Sequence, residues 1–243
     1  MWRYIAWAQE QISEGCSNPE HSEHFALSEM QILKTQKPSW GHVLELTGHI
    51  AAAIRGETDA HSLLVSSQSI SSGDDFWSEA WHRSFAPELD CFLTLSAHET
   101  ANQKILHLSA GTWGLASHTT TVLQQVESRK SSPAFSSYIF GNTSTIFFEH
   151  ARKQFTEISR DDRITAVLMD RSVELCQQLS QAGPYDKVFI EQSYLLAVED
   201  AISTIQAIGR VLKVGGHLII AHNFGSVNFQ FIHDATLGVL PDW

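Results

Sequence analysis

The sequence predicts an α/β protein: a central parallel sheet, doubly wound, with helices on both faces. Three observations carry this. Five short apolar runs alternate with helical patterns from Lys104 to Ala221. A turn of small residues follows the first run directly. The first hundred residues lack this alternation and read as helical and irregular.

The apolar runs are Lys104 to Leu108, Ser136 to Phe140, Ile164 to Met169, Lys187 to Ile190 and His217 to Ala221. Short continuous apolar runs suit strands covered on both faces. Helical patterns fit between and around them at Ser117 to Ser128, Thr145 to Glu157, Glu174 to Gln181 and Glu199 to Leu212. Parallel strands joined by helices require right-handed crossovers. Ligands of such sheets bind beyond the carboxyl ends of the strands. The loops after Leu108, Phe140, Met169 and Ile190 are therefore where a site is expected.

Ahead of the sheet, Val43, Leu44, Leu46, Ile50 and Ile54 fall near one helical stripe, with Gly56 as a natural C-cap. Ser66 to Asp75 reads as a polar loop, and Phe76 to His98 as a further helix. This gives two expected parts: a helical N-terminal lid subdomain over 1–100 and a sheet-bearing core over 101–243.

The formal net charge of −11 and the absence of a basic run argue against a nucleic-acid surface. Cys16, Cys91 and Cys176 lie far apart, which suits a reducing compartment and gives no zinc or disulfide spacing. No stretch approaches the roughly 20 apolar residues of a membrane span, and the N-terminus lacks the pattern of a signal peptide. A cytoplasmic protein without a membrane partner is expected. His21 and His24 stand near Glu20 and Glu23 without a third ligand at useful spacing, so no metal is expected. Trp77 and Trp81, four apart, read as helix-packing residues. Tyr194 is equally a cavity wall or a packing residue, and Glu191 reads as a solvated or capping carboxylate. No Gly-x-Ser-x-Gly elbow supports a serine hydrolase.

The turn after the first strand is Ser109-Ala-Gly111-Thr-Trp-Gly114. Small residues there let backbone approach a nucleotide-like ligand. By itself the turn is as readily structural. Its full setting, Ile105-Leu-His-Leu-Ser-Ala-Gly-Thr-Trp-Gly114, resembles the first motif of class I methyltransferases, which have a Rossmann-like core. More specifically, the chain resembles the C-methyltransferase domain of fungal highly reducing polyketide synthases. Ala53-Ile-Arg-Gly-Glu-Thr-Asp59, Tyr138-Ile-Phe-Gly-Asn-Thr-Ser144 and Phe147-Phe-Glu-His-Ala-Arg152 are similar to family segments. So are the Gly183-Pro-Tyr-Asp186 turn, Val211-Leu-Lys-Val-Gly-Gly216 and the ending Gly238-Val-Leu-Pro-Asp-Trp243. The resemblance runs from about residue 40 to the end.

The resemblance implies S-adenosyl-L-methionine as cofactor, an acyl substrate, and the rest of a polyketide synthase or its acyl carrier domain as partner. It places cofactor-binding positions at His107, Ser109, Gly111, Gly114, Asn142, Asp170 and Glu191. Several depart from the family pattern. The acid before the first glycine falls on His107, the first glycine on Ser109, the third on Trp113 and the second-strand acid on Asn142. The family's catalytic histidine falls on Leu196, and its partner glutamate on His222, the one candidate left for a base. An impaired or inactive methyltransferase is therefore expected. A working methyltransferase with an altered base is the alternative, and a nicotinamide-binding domain a remote third. The short stretch after Ala221 cannot hold the two further strands of the family sheet, so an incomplete sheet, or a chain cut from a longer protein, is expected.

Overall fold

A computed structural model describes residues 49, 52, 55, 57, 58, 86–109, 114–158, 161–170, 177–178, 183–198 and 200–222. The elements are α1 (Ala86–Glu99), β1 (Gln103–Ser109), α2 (Gly114–Lys130), β2 (Phe135–Asn142), α3 (Thr145–Ile158), β3 (Ile164–Leu168), β4 (Tyr185–Glu191), α4 (Gln192–Ala197), α5 (Ala201–Val211) and β5 (Leu212–Ala221). All strand pairs are parallel, in the order β3-β2-β1-β4-β5. The expected α/β class is what the chain adopts. The five predicted strands are all present, each within a few residues of its expected bounds.

Two apolar layers sandwich the sheet. On one face, Leu89, Leu93 and Ala97 of α1 join Leu115, Ala116 and Leu123 of α2 against Ile105, Tyr138, Phe140 and Phe189. On the other, Ile208 and Val211 of α5 and Tyr194 of α4 cover Leu106, Leu108, Val188 and Ile190. The alternation of 105 with 106 and of 189 with 190 follows from successive strand residues pointing to opposite faces. Helix α1 thus packs directly on the sheet. Its first turn carries Pro87 and Glu88 and its last turn His98, an order that suits the helix dipole.

Local chemistry explains the boundaries that differ from expectation. Helix α5 starts at Ala201 because the Asp200 carboxylate accepts the backbone N–H groups of Ile202 and Ser203. Strand β5 begins at Leu212, not His217, and bulges: Leu212 lies opposite Tyr185 and His217 opposite Lys187. Three extra residues are thereby taken up within the bulge. Gly215 has φ +79°, and a Cβ on Gly216 would lie 2.9 Å from the Lys213 carbonyl oxygen and 3.1 Å from that of Asp186. Helix α4 was not expected. Near the N-terminus, the Glu57 N–H reaches the Ala52 carbonyl at 2.9 Å, a six-residue closure typical of a helix end.

Polar groups lock the amino ends of the strands. Asp186 accepts the Lys104 N–H at 2.7 Å and the Lys213 ammonium at 2.8 Å. The buried Lys187 donates to Gln103 Oε1, and Gln103 Nε2 reaches the carbonyls of Ser96 and Thr100 at 2.8 and 2.7 Å. Burial pulls the Lys187 ammonium down to about 8, against the opposing pull of Asp186 and Glu99. Arg163 pairs with Glu127 at 2.7 Å and Asp161 at 2.6 Å, donates to the Phe135 carbonyl, and lies over the Phe135 ring.

Among the described residues no helix is long and apolar enough to cross a membrane, and no group of three or more metal-ligating side chains occurs. The predicted 66–75 loop lies outside the described residues, as do Gly56, Gly111, Trp113, His21, His24, Trp77, Trp81 and the 238–243 segment. Of the predicted 174–181 helix only residues 177 and 178 are described, and both are helical.

Candidate functional site

The carboxyl ends of β1, β2 and β4 bring together most of the expected site residues. Ser109 sits opposite Asn142 in the β1–β2 register, and both are fully buried. The Thr143 N–H donates to the Ser109 carbonyl at 3.3 Å. Asn142 Oδ1 accepts the Ser144 N–H at 2.8 Å, the local turn that asparagine side chains favour after a strand. The Asn142 carbonyl accepts the Met169 N–H at 2.8 Å, tying the end of β2 to the exit of β3. Gly114 opens α2. Asp170 is exposed, and its backbone is clamped at both groups by the Gln178 amide, at 2.9 and 2.7 Å.

His107 and Glu191 are joined. On the central strand, His107 is fully buried, with Nδ1 2.6 Å from the Tyr138 hydroxyl and Nε2 2.8 Å from Glu191 Oε1. Its ring stacks on Phe189 at 5.5 Å and meets Phe140 edge-on at 5.6 Å. Glu191 is therefore neither solvated nor a cap: it stands at the N-cap position of α4, yet its side chain caps nothing and is 12 % exposed. Burial, with the negative charge of Glu191 adding to it, pushes the Tyr138 phenol well above its usual range. The phenol keeps its proton and donates to Nδ1. With Nδ1 accepting, the ring's Nε2–H donates to the Glu191 carboxylate. The chain of donors runs Tyr138 to His107 to Glu191, across β2, β1 and β4.

Beside this chain lies an apolar cavity of about 270 Å³. Its walls include Leu89 of α1, Leu115 of α2, Phe189 of β4 and Ile219 and Ala221 of β5, with His222 as the titratable group on its lining. Phe189 shares a sheet face with Glu191, two residues on, and Ala221 is the register partner of Glu191. The cavity and the carboxylate thus occupy the same end and face of the sheet. Tyr194 packs on the opposite face among Leu108, Met169 and Ile190. Leu196 falls on α4, and its side chain lies outside the described residues.

The sequence reading grouped His107 and Glu191 as separate cofactor contacts and missed Tyr138. A signal was available. A histidine within a buried central strand must find hydrogen-bond partners. The neighbouring strands carry Tyr138 and Glu191 on its face, alongside Asn142 and Lys187, and the ring bonds to the first two. Both His107 nitrogens are taken by protein groups and Asn142 Oδ1 closes its own turn, while Asp170 is exposed.

No protein-family profile matches the chain. A highly reducing polyketide synthase 2 from Gibberella zeae is 27 % identical over 251 residues, covering 99 % of this chain and 9 % of its own length. The chain thus spans less than a tenth of that curated relative. Among solved structures, the trans-methyltransferase CalH, in complex with SAH, superposes with a TM-score of 0.72 at 20 % identity. That match covers 99 % of this chain and 67 % of CalH. The CurJ carbon methyltransferase gives 0.68 at 19 % identity, covering 89 % of this chain and 56 % of its own.

Proposed function

We propose that this chain, homologous to fungal highly reducing polyketide synthases and folded as a class I methyltransferase, is the methyltransferase-fold segment of such a synthase with methyl transfer impaired or lost. One observation carries the reading: two of the expected cofactor positions, His107 and Glu191, are bonded to each other. His107 is spent on Tyr138 and Glu191, and Asn142 on its own turn. A neutral Asn142 also accepts more weakly than a carboxylate would. In this reading the segment works within a larger synthase in the cytoplasm, beside an acyl carrier domain. Helix α1 packs on the sheet.

Isothermal titration with S-adenosyl-L-methionine tests this. Binding absent or weaker than about 100 μM, which is about −5.5 kcal/mol, is expected. Low-micromolar binding would refute it. A second reading, a working methyltransferase with His222 as base, is favoured by the place of His222 on the apolar cavity. It requires radiolabelled methyl transfer to a β-ketoacyl thioester, abolished in His222→Ala.

A further inference from the structure

Helix α5 is apolar on two sides. Ile208 and Val211 face the sheet and are buried. On the side away from them, Ile202 is 71 % and Ile205 37 % exposed. With Gly209, also exposed, they stand at i, i+3 and i+7 and form one ridge along the helix. A helix lying on a sheet normally turns polar side chains outward, and one that is apolar all round is normally covered. A Cβ on Gly209 would meet nothing within 4 Å, so the ridge drops to open space at its carboxyl end. The two ends of the helix differ in charge. The exposed Asp200 carboxylate caps the start. Arg210, in the last turn, is exposed and makes no ion pair among the described residues.

We propose that two copies of this chain pair through α5, with the two helices antiparallel about a two-fold axis between Ile205 and Gln206. The ridge is complementary to its own reverse. Ile202 enters the space above Gly209 of the second copy, and Ile205 meets Gln206. Asp200 comes beside Arg210, so acid meets base at both ends, and every contact occurs twice. The helix dipoles run in opposite directions, which favours the pairing. The small residue at the contact lets the helix axes approach closely. One helix face per copy falls well short of the roughly 800 Å² per partner of a standard interface, so the dimer is a weak and transient one. Helix α5 covers the sheet face opposite the one that carries the apolar cavity, so pairing leaves that cavity uncovered. The pairing does not depend on methyl transfer.

Sedimentation velocity of the full chain, in a dilution series from roughly 300 to 5 μM, tests this. Wild type is expected to pass from dimer to monomer by mass action. Ile202→Gln, which removes the apolar knob, and Arg210→Glu, which sets acid against Asp200, should each weaken the dimer by about 10-fold or more. Asp200→Asn keeps the cap but loses the charge and should weaken it less, by about 3-fold. Arg129→Glu, at an exposed arginine on α2, should leave it unchanged. Ile202, Asp200 and Arg210 are all exposed, and unchanged circular dichroism checks that the variants fold. Gln206→Cys, beside the axis, should form a disulfide-linked dimer on mild oxidation beyond the wild-type level. A monomer across the whole series overturns the proposal and leaves the ridge to a different protein. A dimer that survives both Ile202→Gln and Arg210→Glu overturns it as well, since the contact would then lie elsewhere. Cross-linking of Gln206→Cys no greater than wild type overturns the antiparallel register.

Discussion

Replacing Lys187 by methionine should erase one pH-dependent component of stability. The ammonium is 2 % exposed and its pKa is pulled from 10.5 to about 8 by burial. A lysine depressed in the folded state carries a cost that is full below the folded value and is relieved as pH rises through it. Between pH 8 and 10.5 the unfolded chain binds more protons, so stability rises with pH. With these two values, linkage gives a gain of about 2 kcal/mol between pH 7.5 and 9.5. Lys187→Met keeps the chain length and cannot titrate. Gln103 loses the partner of Oε1 but stays anchored through Nε2 to Ser96 and Thr100. That loss is the same at both pH values and drops out of the comparison. Urea unfolding of both proteins at pH 7.5 and 9.5, followed by tryptophan fluorescence, provides the measurement. Wild type should gain about 2 kcal/mol relative to the variant across the interval. Parallel behaviour, within about 0.5 kcal/mol, would refute the reasoning.

Other outcomes follow from the same structure. His107→Leu leaves Glu191 buried without its donor and should cost about 2–4 kcal/mol, whereas Tyr138→Phe should cost about 1 kcal/mol; equal losses by urea unfolding would contradict the direction of the donor chain. Gly216→Ala forces a Cβ against two carbonyl oxygens and should destabilise by about 1–3 kcal/mol, while Gly209→Ala, on α5 with open space around it, should stabilise by about 0.5–1 kcal/mol. Burial opposes ionisation of Glu127, yet the Arg163 hydrogen bonds hold it below the usual range, and Arg163 does the same for Asp161. Their contribution is present above about pH 4.5 and is lost as pH falls through the folded values. Arg163→Gln should therefore lower stability by about 2 kcal/mol at pH 7 and flatten its fall on acidification, read by thermal melts at pH 5, 4 and 3.

How much of this could be read from residues alone differs between backbone and site. Strand identity was legible because Ile105, Leu106 and Leu108, and Val188 to Ile190, put apolar side chains on both faces, which a doubly covered strand demands. The start of β5 was not, because the bulge places Lys213 to Gly216 in the strand although their pattern is that of a turn. Helix α4 was hidden by its brevity: six residues give no helical period to detect. The candidate site divided in the same way. Ser109 and Asn142 came together because register follows from parallel pairing. His107 and Glu191 were found as positions, but not as partners. Pairing across three strands depends on which way each side chain turns, and that is decided by packing under α2.

The β1–β4 seam is where the two helical layers part, α1 and α2 to one side and α4 and α5 to the other. The His107–Glu191 bond spans that seam like a stitch, and its far end is an aromatic ring on β2. Anything that draws the Glu191 carboxylate toward the crevice must slacken the stitch and change the hydrogen bond of the Tyr138 phenol. The hydrogen bond of the Tyr138 phenol thus becomes a remote gauge of occupancy, readable without knowing what has arrived.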